Sequence, residues 1–286
     1  MAIDSPFPPF DPGNPDAEDD KVRRRVPFRH IVPNLITILA ICAGMTGIRL
    51  AFEGRFELAV GMVLGAALLD GIDGRVARLL KGQSRFGAEM DSLADIVNFG
   101  VAPGLVLYAY MLHDAGSLGW IAALLYASAS ALRLARFNTM LDDPKRPKWQ
   151  SAFFVGVPAP AGAGMAMFPI YLSLSGFETG LPEVTAVVAS VYLVFIGLLM
   201  ASRIPTWSGK GAGIRVRRDY AIPIMLAVVC YIAVLLSFFW ATATLTVLAY
   251  GVSIFFSVRA YHQRLRREAG RSMAGMSMKD DQAGSR

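Results

Sequence analysis

Cysteine is almost missing from this chain: only Cys42 and Cys230 occur in 286 residues. Both fall inside apolar stretches, which argues against a disulfide framework or a cysteine zinc site and leaves packing as their role. Histidine is nearly as scarce. His30, His113 and His262 stand in juxtamembrane or loop sequence without ligand spacing, so none is assigned chemistry. No internal repeat is present, since the acidic motif described below occurs once and has no counterpart in the second half. A signal peptide is not expected either: the first apolar block begins beyond position 30 and no small-residue cleavage pattern follows it.

What the chain has in quantity is apolar sequence. Hydrophobic residues make up 54% of it, mean hydropathy is +0.45, and the apolar residues run in long blocks, which is the composition of a polytopic membrane protein. A helix needs about 20 apolar residues to cross the hydrocarbon. Eight blocks reach that length, at 32–52, 56–78, 88–112, 117–138, 153–176, 184–203, 219–238 and 240–258. The expected fold is therefore all-α with about eight transmembrane helices in a domain over 29–258. It is flanked by a disordered acidic and basic tail (1–28) and a basic tail (259–286) that frays into solvent.

Basic residues test this count. Arg23 to Arg25, Arg75 to Arg85, Arg133 to Lys148, Arg203 to Arg218 and Arg259 to Arg271 cluster in alternate loops, while Glu53, Glu57, Asp114, Glu178 and Glu183 mark the others. Lys and Arg gather in short cytoplasmic loops, so both termini are expected in the cytoplasm and the protein in the inner membrane. The net charge of +6 is dispersed over five segments and suits an anionic leaflet, so a nucleic-acid partner is not expected.

Small residues mark places where helices could approach closely: Ala43 and Gly47, Gly61-x-x-x-Gly65, and the run Ala159 to Gly164. Pro158 and Pro160 would kink the fifth block and free backbone carbonyls, which is tolerated only where protein or a cavity satisfies them.

Four carboxylates lie at the cytoplasmic ends of the second and third blocks. The run is Asp70-x-x-Asp73-Gly74-x-x-Ala77-Arg78, eight residues, then Gly87-x-x-x-Asp91-x-x-x-Asp95. An ionised group at a helix centre in a bilayer costs roughly 2.5–3.5 kcal/mol, so four together call for a divalent ion or a water-filled cavity. Spacings of three and four put each pair on one helix face. Oxygen-only donors with no Cys or His nearby suit Mg or Mn and argue against Zn, and a two-metal site is plausible. The small Gly74 and Ala77 would let a phosphate-bearing ligand lie near the backbone, and Arg78 could meet a phosphate oxygen.

This arrangement resembles the signature of the CDP-alcohol phosphotransferase family, with every fixed position filled. The resemblance implies a membrane-embedded helical fold, usually a homodimer, that cleaves a CDP-linked lipid or alcohol and passes the phosphoryl-linked group to an acceptor hydroxyl, releasing CMP. It further implies two divalent ions held by Asp70, Asp73, Asp91 and Asp95, with Asp95 also the general base. Gly74, Arg78 and Ser84 match family positions that hold the CDP moiety, and Asn34 and Thr37 match another nucleotide-contacting segment; Lys81 is expected to assist with phosphate.

Further runs, Ser84 to Asp95, Arg133-Leu134-Ala135-Arg136-Phe137-Asn138, Val155 to Pro160 and Ser202 to Thr206, look like bacterial phosphatidylserine synthases of the membrane-integral type. The reaction so implied is phosphatidyl transfer from CDP-diacylglycerol to L-serine. Serine's carboxylate needs a cation, for which Arg133 and Arg136 are candidates against a purely interfacial, snorkelling role. Its ammonium needs an acceptor, for which Glu89 is a weaker one. Transfer to choline, glycerol phosphate or inositol phosphate is the alternative within this chemistry. A divalent-cation transporter is the alternative outside it, disfavoured because all four carboxylates sit on one pair of helices without repeat symmetry.

Overall fold

The computed structural model describes residues 28–82, 84–141, 153–177, 180–207 and 218–283. The N-terminal tail therefore lies outside the described residues, apart from Phe28. All described elements but two three-residue strands are helices, in keeping with an all-α polytopic membrane protein. Six helices are long and apolar enough to cross a membrane by length and composition: Arg29–Phe52, Arg85–Tyr110, Ser117–Met140, Pro182–Ala201, Tyr220–Ser237 and Phe239–Tyr261.

The chain divides into two compact units, 1–98 and 99–286. In the first, α1 (Phe28–Phe52) and α2 (Phe56–Leu79) form a hairpin and α3 (Arg85–Asp95) packs on α1. Small residues set the α1–α2 distance. Ala40, Ala43, Ala59 and Ala66 are buried, and a Cβ on Gly47 would stand 3.0 Å from the Ala59 carbonyl and from Val63. Gly61 and Gly65 do not share this role: no atom of the described residues would lie within 4 Å of a Cβ on either.

α2 is not in the six-helix group because its 24 residues carry five charges, Glu57, Asp70, Asp73, Arg75 and Arg78, although most of its length is apolar. After α3 a π-helical segment, Ile96–Val101, interrupts the otherwise continuous helical run to Tyr110.

In the second unit α4 (Ala102–Tyr110), α5 (Ser117–Leu141) and α8 (Pro182–Ala201) surround a core of Leu107, Leu112, Tyr126, Leu193 and Ile196. The Tyr126 hydroxyl satisfies the Phe99 carbonyl at 2.8 Å. The block at 153–176 is not one long helix. It is a short strand, β1 (Phe153–Val155), then α6 (Ala159–Ala166) and α7 (Phe168–Leu174). Pro158, Pro160 and Pro169 lie at or beside the helix starts, where a missing N–H is harmless. Strand β1 pairs antiparallel with β2 (Pro205–Trp207). Gly156, at φ +79°, donates to the Ile204 carbonyl and its own carbonyl accepts from the Thr206 hydroxyl.

Helix α9 (Arg218–Ser237) turns every residue from 220 to 234 outward, as expected of a helix in contact with lipid. The last helix, α10, runs from Phe239 to Ala283, so the C-terminal segment is helical where a frayed tail was expected. Its sequence is dominated by good helix formers, Arg, Gln, Glu, Ala and Met.

Candidate active site

The α2–α3 turn sets the geometry. Helix α2 ends in a Schellman motif: Gly82 N–H donates to the Ala77 carbonyl at 2.9 Å and Lys81 N–H to that of Arg78 at 3.2 Å. The left-handed position falls on Lys81, at φ +50°, where a non-glycine residue costs roughly 1–2 kcal/mol. Gly82 is needed for a different reason: a Cβ there would run into the Arg29 carbonyl of α1. Two residues on, Ser84 caps α3, its hydroxyl accepting from Gly87 N–H at 3.0 Å. A Cβ on Gly87 would stand 3.0 Å from Asn34 Oδ1 and 3.1 Å from Ser84 Oγ, so this glycine lets α1 and the capped turn close together.

This turn brings the two acidic pairs face to face. One carboxylate oxygen each from Asp70, Asp73 and Asp91 lies within 4.8 Å of the others. Asp95 is close enough to hydrogen-bond the Asp70 side chain, and the charges of Asp73, Asp91 and Asp95 all act on Asp70. Two carboxylates 4.8 Å apart repel by roughly 3–4 kcal/mol at an effective dielectric of 20. Among the described residues no Lys or Arg forms an ion pair with Asp70, Asp73 or Asp91. Asp70 Oδ1 and Asp73 Oδ1 are buried without a hydrogen-bond partner among the described residues. Orphaned, converging oxygens of this kind fit divalent cations that prefer oxygen ligands. Asp73 is held by α1, whose Thr37 hydroxyl donates to its Oδ2 at 2.6 Å.

A cavity of about 330 Å³ opens beside the cluster, with Asn34, Thr37, Asp73, Arg78, Ser84 and Asp91 on its wall. Gly74 also lines it, and its missing side chain leaves the α2 backbone open there. Arg78 lies back along its helix, Nε donating to the Gly74 carbonyl at 2.9 Å. Lys81 is exposed on the turn. Glu89 is exposed on α3.

The two arginines proposed for an acceptor carboxylate belong to the second unit. Arg136 is engaged in the fold: its Nη1 donates to the Ala201 carbonyl at 2.5 Å and the Ser202 carbonyl at 3.4 Å, closing the end of α8. Arg133 is buried, its guanidinium 5.6 Å from the centroid of the Phe137 ring.

Two residues near the carboxylates carry no sequence signal. His30, in the first turn of α1, pairs its Nδ1 with the Gly82 carbonyl at 2.8 Å and so ties α1 to the turn; because a carbonyl only accepts, Nδ1 carries the proton. Asn98 is fully buried in the π segment, and neither carboxamide atom has a hydrogen-bond partner among the described residues. A lone histidine and a lone asparagine in apolar sequence have no spacing to reveal them.

The family model for CDP-alcohol phosphatidyltransferase matches residues 30–200. Among curated proteins, the CDP-diacylglycerol–serine O-phosphatidyltransferase of Mycobacterium leprae is 48% identical over 182 residues, 64% of this chain and 60% of that one. The protein of the same name from Mycobacterium bovis is 40% identical over 232 residues, 80% and 79% of the two chains. That of Helicobacter pylori is 38% identical over 178 residues, 61% and 71%. The chain thus spans 60% of the length of the first of these relatives and about four-fifths of the second. The matched region carries the convergent aspartates and the cavity beside them, and the chain belongs to the CDP-alcohol phosphatidyltransferase family.

Proposed function

We propose that this chain is a CDP-diacylglycerol–serine O-phosphatidyltransferase, moving the phosphatidyl group of CDP-diacylglycerol to the hydroxyl of L-serine and releasing CMP. The carrying observation is the convergence of Asp70, Asp73 and Asp91 within 4.8 Å beside a cavity large enough for a polar head group. The names of the relatives supply the acceptor.

Asp70, Asp73, Asp91 and Asp95 are the residues that would hold two divalent ions, Mg or Mn. Such ions, when bound, neutralise the diphosphate and the charge that builds on phosphorus during displacement. The protein's own part begins with orientation. Asn34, Thr37, Gly74 and Ser84 wall the cavity read as the nucleotide's; Arg78 on the same wall and Lys81 on the neighbouring turn are the residues that would meet phosphate oxygens. Asp95 accepts the serine hydroxyl proton as that oxygen bonds to phosphorus and the bond from phosphorus to the CMP oxygen breaks. CMP leaves with the bonding electron pair. No Ser, Cys or His nucleophile stands beside a base in the motif, so direct transfer without a covalent intermediate is the simplest course.

Arg133 and Arg136 are the arginines offered for the acceptor carboxylate, Arg136 also donating to the carbonyls at the end of α8. The working protein is read as a homodimer in the inner membrane with both termini and the active site in the cytoplasm, its membrane domain over 29–258. α2 is read as a further crossing helix because its carboxylates sit at one end and its first 14 residues are apolar apart from Glu57.

An acceptor panel tests this reading. Purified protein given one CDP-diacylglycerol and Mn or Mg should convert L-serine, and not choline, glycerol phosphate or inositol phosphate, to a chloroform-extractable lipid. Preference for another alcohol would reassign the acceptor.

A further inference from the structure

Asn98 is fully buried, and both ends of its carboxamide lie without a hydrogen-bond partner among the described residues. Native interiors pair such groups. With no exposure to bulk solvent, Asn98 needs a bound partner. Its backbone is unusual as well. It sits in the π-helical segment Ile96–Val101, and π turns inside α-helices are rare and occur frequently at functional sites.

Placement narrows what the partner is. Asn98 follows Asp91 and Asp95 along the same helical run, just past the point where α3 gives way to the π segment. It lies three residues past Asp95, on the side away from the α2–α3 turn. Opposite it on α1 is Gly44, where a Cβ would collide with Asn98 Oδ1. The absent side chain at position 44 makes the room this carboxamide occupies.

We propose that Asn98 recognises the acceptor, its carboxamide pairing with the α-amino and α-carboxylate groups of an amino acid whose hydroxyl lies at Asp95. This rests on the serine-transfer reading above. The chemistry is complementary: a carboxamide offers one donor group and one acceptor side by side, and an α-amino acid presents a carboxylate that accepts and an ammonium that donates. The carbon bearing both groups is directly attached to the one bearing the hydroxyl, which suits the short, three-residue separation of Asn98 from Asp95. An apolar residue at 98 would sit in this interior without needing a partner, so a lone amide here points to recognition.

The experiment compares Asn98→Leu with wild type in detergent, titrating L-serine and CDP-diacylglycerol separately and recording Tm. Expected is a rise of about tenfold or more in KM for serine, a KM for CDP-diacylglycerol within about twofold of wild type, and a Tm equal to or above wild type, because an unpaired buried amide has been removed. A lowered Tm with unchanged KM for serine, or both KM values rising together, would overturn the inference and make Asn98 a structural residue. Should the Leu variant not fold, Asn98→Ser is read by the two KM values alone, a rise confined to serine supporting the inference and no rise, or both rising together, overturning it. Failure of the wild type to make serine lipid at all would instead strike the underlying reading.

Discussion

Thr37 Oγ1 donates a 2.6 Å hydrogen bond to Asp73 Oδ2, so the first helix of the chain holds a carboxylate of the second in place. Hydrogen bonds to charged groups contribute about 1.5–3 kcal/mol. Thr37→Val, which keeps the shape and removes the donor, is expected to lower kcat/KM by roughly 10- to 100-fold and to move Mn activation to higher concentration. Thr37→Ser, which keeps the donor, should recover most of the loss. A metal-activation curve for the Val variant that overlays wild type would show that Asp73 needs no such support.

His30 makes the complementary tie, through the Gly82 carbonyl at 2.8 Å, to the turn that carries Lys81 and Ser84. Asn places its amide nitrogen near the position of the imidazole Nδ1, whereas Phe fills the ring volume without a donor. His30→Phe should therefore raise KM for CDP-diacylglycerol by roughly tenfold, the loss of about one hydrogen bond, with kcat little changed, and His30→Asn should stay near wild type. Equal behaviour of the two variants would assign the effect to ring packing.

Two glycines on α2 and its turn are expected to respond in opposite ways. Gly82→Ala puts a methyl against the Arg29 carbonyl, which would force the turn away from α1, lowering Tm by several degrees and weakening CDP-diacylglycerol binding. Gly61→Ala meets nothing within 4 Å and removes backbone entropy from a helix, so it should leave stability unchanged or raise it by about 0.5–1 kcal/mol. A marked fall in Tm for Gly61→Ala would mean that another molecule, such as a second copy of the chain, packs on that face.

Asp95→Asn keeps the size of the side chain and removes its ability to take a proton. Turnover should fall by at least about 10²-fold, the usual contribution of a general base, while binding of CDP-diacylglycerol, read by thermal shift, persists. Substantial turnover in this variant would remove Asp95 from the proton-transfer role.

Much of the site could be read in the sequence because its elements are local. Asp70 with Asp73, and Asp91 with Asp95, fall on single faces by helical spacing alone, and the short stretch between α2 and α3 leaves little choice but to fold them together. Long-range ties are different in kind. The contacts of Thr37 with Asp73, His30 with Gly82 and Asn98 with Gly44 join residues far apart in the chain, and nothing in the spacing of the residues announces them. The same holds for Arg136. Its charge suggests an anion, but its distant partners are the backbone carbonyls that end α8. At 153–176, hydropathy counted a span where Pro158, Pro160 and Pro169 break the chain into a strand and two short helices. At the C-terminus, the polar composition suggested fraying while the helix propensity of the same residues carries α10 to Ala283.

Metal dependence bears most directly on the account. Purified protein with CDP-diacylglycerol and radiolabelled L-serine, assayed after chelation and again with Mg or Mn restored, should yield labelled lipid and CMP in equal amounts with metal and neither without it. The same loss should follow from Asp70→Asn with metal present. Phosphatidylserine formed at an undiminished rate in the presence of chelator, or by the Asp70→Asn protein, would contradict the view that these converging carboxylates act through divalent ions.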